Sequence, residues 1–134
     1  MPLARQTMHN QLEHIHVALW PWVHEMHQIA SRQYAFEGRA IVLAVGQLMQ
    51  AKEIPSILEL PTELLEDDYV LKGQTAVIAA DGSYLLSPQA AGAIHFVELP
   101  TRDKIMEERM TLDVVGHYQR PDVFDFKVKE TDYR

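Results

Sequence analysis

The run Ala40-Ile41-Val42-Leu43-Ala44-Val45 constrains this chain more than any other segment. Six consecutive apolar residues are too few for a buried helix, and Ile41, Val42 and Val45 are β-branched, so the run predicts a strand covered on both faces. Upstream, Pro2 stands where a first helical turn tolerates it, and Ala4, Met8 and Leu12 follow at a spacing of four. A short helix over 2–12 is expected. His14 to Trp20 alternates, with Ile15, Val17 and Leu19 on one face, and reads as a strand that stops at Trp20-Pro21. Val23, Met26, Ala30 and Tyr34 then recur at helical spacing, giving a helix over 23–37 with Gly38 as the residue just past its end.

Downstream of the apolar run, the stretch Glu53 to Asp68 carries six acids, no base and two prolines, which reads as an exposed loop with room for one helical turn. Thr75 to Ala80 and Ser83 to Leu86 flank the turn pair Asp81-Gly82 and read as a β-hairpin. Ile94 to Leu99 is a further expected strand. Thr101 is placed to cap a helix over 102–110, with Asp103 in its first turn and Ile105, Met106 and Met110 on its apolar side. From Thr111 the chain mixes Gly, Pro, Asp and aromatics without a period, and 111–134 reads as an extended arm. The order α-β-α-β-loop-β-β-β-α-tail gives a layered α/β fold. Three modest helices cannot cover such a sheet, so apolar surface is left over for another chain or a further part of this one.

The 134 residues suit one domain, and none of them is cysteine, which excludes disulfides, zinc–thiolate sites and cysteine nucleophiles within this sequence. Twelve basic residues against 19 acidic ones leave a net charge of −7, unfavourable for nucleic acid or an anionic membrane surface. No apolar run approaches the roughly 20 residues of a membrane-spanning helix, and Met1 to Arg5 lacks the order of a signal peptide, so a cytoplasmic protein is expected. Ser31, Ser56, Ser83 and Ser87 lie in no nucleophile elbow, and the isolated glycines form no phosphate cradle. His24 and His27 share a helix face, as His14 and His16 share a strand face. Neither pair implies a third ligand, and an ordinary solvated or hydrogen-bonded role outweighs a metal site or a histidine-based metal module. The pairs Glu107-Glu108 and Asp67-Asp68 splay apart as surface acids do. On residue chemistry alone the chain has a fold and no active site.

Three segments together resemble one family, the nitrilase branch of the carbon–nitrogen hydrolases. Ala30 to Arg39, running into Ala40 to Gln47, is similar to the family's helix ending in A-x-E-G and the buried strand after it. Gly73 to Leu85 is similar to its G-x-S-x-I-x-x-P-D-G hairpin, with Thr75 for Ser and Ala80 for Pro. Met110 to Phe124 contains D-x-x-G-H-Y-x-R-P-D-V-F, close to a signature of nitrilases. Met1 to Arg5 resembles the sequence just after the family's C-W-E motif, so residues 1–126 look like the second half of a nitrilase domain. The resemblance implies half of an αββα sandwich. It also implies that the family's catalytic Glu, Lys and Cys have no counterpart here, that no cofactor is used, and that the chain alone does not hydrolyse nitriles. Trp20, Pro21, Trp22 and Glu37 correspond to pocket positions, and His117, Tyr118, Arg120 and Asp122 to a subunit-contact arm. The implied partners are a homo-oligomer or a complementary N-terminal half, with a small nitrile or amide as substrate only once the domain is completed. A non-catalytic scaffold that self-associates is the alternative.

Overall fold

The computed structural model describes residues 2–58, 63–89 and 94–129. A helix α1 (Pro2–His9) leads into strand β1 (Ile15–Trp20), helix α2 (Glu25–Gly38) and strand β2 (Ile41–Gly46). Short strands β3 (Leu48–Gln50) and β4 (Tyr69–Lys72) follow, then the hairpin of β5 (Thr75–Ile78) and β6 (Tyr84–Gln89), and helix α3 (Arg102–Arg109). The main sheet runs β1-β2-β5-β6. β1 and β2 are parallel, with Ile15 opposite Ile41 and Trp20 opposite Gly46, as a strand–helix–strand crossover requires, whereas β5 and β6 add antiparallel.

Alternation divides the sheet into two unequal faces. On one, Val23, Tyr34 and Ala35 pack on Val42, Ala44 and Ile78, with Ala18, Trp20 and Tyr84 at the margin. On the other, Ile105 of α3 covers Ile41 and Val77, flanked by Leu43, Leu86 and Val97. That cover ends half-way along the strands. Ile15, Val17 and Leu19 are 47%, 54% and 76% exposed, and Val45 beside Leu19 is also exposed. The expectation that β2 is sealed on both sides is therefore corrected: its first half is sealed, and its second half is open on the β1 side.

Several local expectations are also revised. α1 ends at His9, because the chain turns at Leu12 (φ 55°), where the Arg109 guanidinium donates to the carbonyls of Leu12 and Glu13 at 3.2 and 2.7 Å. The left-handed residue closing α2 is Arg39 (φ 47°) and not Gly38. Gly38 is needed for space, since a Cβ there would collide with the His9 ring. Residues 94–100 form no strand; Phe96 is 93% exposed and only Val97 reaches the core. Thr101 occupies the N-cap position of α3 without a side-chain capping bond. The acidic loop is tied at its base by the unforeseen pair β3–β4 and by a 3₁₀ turn at Ala51–Glu53, where Glu53 accepts from the Gln50 N–H at 2.6 Å. Lys52, just before that acidic stretch, binds Asp67 at 2.6 Å across it. The arm is folded into turns at 114–118 and 121–123.

The hairpin follows its sequence signal. Gly82 takes φ 83°, and the Asp81 carboxylate accepts from the Ser83 N–H and hydroxyl at 2.8 and 2.6 Å. These bonds hold the Asp81 carboxyl below its ordinary value of 3.8. Asp81→Ala is expected to cost roughly 0.5–1 kcal/mol, below the roughly 1.5–3 kcal/mol of a bond to a charged group because the turn is exposed. A carboxyl whose value is depressed on folding stabilises above its unfolded value and loses that effect as pH falls through the folded one. Urea midpoints of parent and variant should thus differ at neutral pH and converge below the ordinary carboxylate range.

Candidate functional site

In sheets with parallel strands and crossover helices, ligands meet the carboxyl ends of the strands, where loops and helix starts converge. Here that edge carries Trp20, the last residue of β1, and Gly46, the last of β2. Trp20 donates its indole N–H to the Ser31 hydroxyl at 3.1 Å, which fixes the ring against α2. His27 lies against Trp20 with centroids 4.4 Å apart, His24 against His27 at 4.0 Å, and Trp22 meets His24 edge-on at 5.6 Å. Lys72 of β4 stands over the Trp22 ring at 5.8 Å. The result is a wall of four rings with one cation at its edge, suited to an apolar or aromatic ligand.

Two polar atoms of this wall, Trp22 Nε1 and His27 Nδ1, are buried without a hydrogen-bond partner among the described residues. Such groups are costly to leave unpaired and are available to a ligand or an adjoining chain. The wall offers no nucleophile: Ser31 is buried and already engaged with Trp20, and Ser83 is bonded to Asp81. The histidines lie tilted against each other, and among the described residues no group of three or more His, Asp or Glu is arranged to hold a metal ion.

The four pocket residues named from the sequence separate in space. Trp20 and Trp22 share the wall, and Pro21 lies exposed between them. Glu37 stands ten residues beyond His27 along α2, about 15 Å at 1.5 Å per residue. There it binds Arg5 at 3.3 Å and accepts from Gln33 at 2.9 Å. Beside it is a cavity of about 270 Å³ lined by Pro2, Arg5, Gln6, His9, Glu37 and Val114. Sequence reasoning missed a second cluster next to this cavity. Glu13 accepts from the Tyr34 hydroxyl and contacts His16 Nδ1 at 3.1 Å, while His9 and His16 both lie against the Tyr34 ring, at 4.5 and 4.1 Å. Burial, then the bond to Glu13, pushes the Tyr34 phenol well above its ordinary value.

In the arm, Asp113 accepts from the N–H groups of Val115, Gly116 and His117 and so shapes the turn that presents His117, Tyr118, Arg120 and Asp122. All four are exposed. Arg120 and Asp122 hold each other through two bonds of 2.7 and 2.6 Å, and Gln119 donates to Asn10 at 3.0 Å, tying the arm to the end of α1.

No family model matches the chain. Individual proteins do. An arylacetonitrilase from Trametes versicolor is 33% identical over 97% of this chain and 41% of its own length. An aliphatic nitrilase from Sinorhizobium fredii is 30% identical over 97% of this chain and 42% of its own length. The chain is nitrilase-like. A carbon–nitrogen hydrolase from Helicobacter pylori G27 superimposes with a TM-score of 0.62 at 14% identity, covering 92% of this chain and 43% of the other, so the nitrilase-like sequence carries part of the carbon–nitrogen hydrolase fold. The chain spans about two fifths of the length of the curated relatives it matches. Among the described residues, no helix of this nitrilase-like chain is long and apolar enough to cross a membrane.

Proposed function

We propose that this chain supplies one half of a nitrilase-type carbon–nitrogen hydrolase and that its 134 residues alone do not turn over nitriles. The observation that carries the reading is the open apolar face of β1: Ile15, Val17 and Leu19 form a row at the sheet surface that water covers in this chain. A folded chain rarely leaves such a row bare, and in a sandwich it is the surface on which a second sheet packs. The absence of cysteine supports the same reading from chemistry, since a thioimidate intermediate requires an activated thiolate that must come from elsewhere. Within the completed domain, Trp20, Pro21 and Trp22 line the pocket and Glu37 braces its far side through Arg5. His117, Tyr118, Arg120 and Asp122 contact a neighbouring subunit, and the assembly works in the cytoplasm.

The test is hydrolysis of phenylacetonitrile and of an aliphatic nitrile by the purified chain, alone and with a polypeptide carrying the family's Glu, Lys and Cys. The expected result is no ammonia release from the chain alone and release from the mixture. A chain active by itself would refute the proposal. A stable homo-oligomer with no activity in either arm would favour the self-associating scaffold.

A further inference from the structure

The His9 ring is buried at the floor of the cavity beside Glu37. It is 4% exposed, and neither ring nitrogen has a hydrogen-bond partner among the described residues. Its Nδ1–Cε1 edge occupies the place a side chain at position 38 would fill, and its face tilts against Tyr34. His9 is the last residue of α1, and its seating joins that helix to α2 together with the Arg5–Glu37 pair. The charged and titratable groups around it are Arg5 on α1, Glu13 beyond it, His16 on β1, and Tyr34 and Glu37 on α2. Both carboxylates are already committed, Glu37 to Arg5 and Gln33, and Glu13 to Tyr34 and His16. A second proton on His9 would therefore find no free acceptor in its enclosure, and an unpaired buried charge is among the costliest groups a fold can hold. The 270 Å³ cavity that His9 lines gives the ring a way out toward water.

We propose that His9 is an acid-sensitive latch: as the neutral imidazole it seats α1 on Gly38 and Tyr34, and as the imidazolium it swings out and frees α1. Release of α1 also breaks the Arg5–Glu37 pair and loosens the Gln119–Asn10 bond that ties down the arm. Burial lowers the His9 value below its ordinary 6.5; Glu13 and Glu37 oppose that shift, while Arg5 and His16 add to it. The released helix thus binds the proton more tightly than the seated one. Seating is complete above about pH 6.5 and is lost as pH falls toward the seated value. His14, whose Nε2 is also buried and unpartnered among the described residues, is present in both parent and variant, so substitution at position 9 isolates the latch.

The experiment is amide hydrogen exchange on the full 134-residue chain and on His9→Phe, at about pH 7.5 and about pH 5. In the parent, exchange in α1 relative to α2, after correction for intrinsic rates, should quicken by roughly several-fold on acidification, the direction that tighter proton binding by the released helix requires. In His9→Phe the ratio should not change with pH. A ratio unchanged by pH in the parent, or the same acid response in the variant, overturns the proposal. Should His9→Phe not fold, the imidazole proton shifts of the parent decide: a His9 midpoint clearly below 6.5 supports the latch, and one at or above 6.5 refutes it.

Discussion

Gly46→Ala will strongly destabilise the native fold. A Cβ at Gly46 would overlap the carbonyl oxygen of Gly73 and stand 2.6 Å from its carbonyl carbon and 3.0 Å from its Cα. Every one of those atoms is backbone, so no rotamer change relieves the clash. Nor is Gly73 free to retreat: its carbonyl accepts from the Val23 N–H and its own N–H donates to the Gln47 carbonyl, each at 3.0 Å, with φ at 68°. Gly46 is held in turn, its N–H donating to the Thr75 hydroxyl at 3.2 Å. The close approach therefore locks together the end of β2, the start of α2 and the link from β4 to β5. Overpacking costs typically about 1–3 kcal/mol, and a clash with rigid backbone belongs at the upper end, a large share of the roughly 5–15 kcal/mol that holds a domain together. Circular dichroism melts and urea titrations will read the loss. A variant melting within a few degrees of the parent would show that the two glycines are not the joint described here.

What the sequence discloses and what it hides follow the range of the interactions involved. β2 and the Asp81-Gly82 hairpin are legible because each is specified by neighbours: an unbroken apolar run in one case, a turn residue with positive φ in the other. α2 is legible from its period, but its end is not. Gly38 reads as the left-handed terminator from local rules, and only the arrival of His9, 29 positions earlier, reveals that the glycine serves to make room and that Arg39 takes the turn. β3 and β4 are hidden because three or four residues carry no period, and because Leu48 finds Lys72 only after the acidic loop has closed. Ile94 to Leu99 errs in the other direction: strand-forming residues without a ladder partner remain irregular, and Val97 alone packs inward. The residues expected at a pocket show the same division. Trp20 and Trp22 are recognisable as a pair, but their union with His24 and His27 depends on the angle at which α2 leaves the strand, and the stack of His9, Tyr34 and His16 joins three separate elements with no common motif.

Val17→Asp combined with Leu19→Asp should leave the chain folded and remove the association with a complementary half that the proposed function requires. Both side chains are already more than half exposed, so exchanging them costs the isolated chain little; aspartate is a poor strand residue, and about 1 kcal/mol covers the loss. The proposed sandwich would bury the same positions, where each aliphatic side chain contributes about 1.5–3 kcal/mol and a carboxylate would be stranded without a partner. Two such positions together amount to at least about 3 kcal/mol, which is more than a hundredfold in affinity at about 1.4 kcal/mol per factor of ten. Sedimentation of the labelled chain with and without its complement, together with ammonia release from the mixture, will report both losses. Because the chain already carries a net charge of −7, the aspartates alone could act by general repulsion. Val17→Lys with Leu19→Lys reverses the sign of the added charge and separates the two causes. If burial of this face drives assembly, the lysine pair fails as completely as the aspartate pair, at high salt as well as low, since screening weakens repulsion and leaves the desolvation of a stranded charge in place. Assembly restored by lysine or by salt would mean that the face of β1 is not the buried seam and would leave the exposed arm presenting Tyr118 and Arg120 as the contact surface.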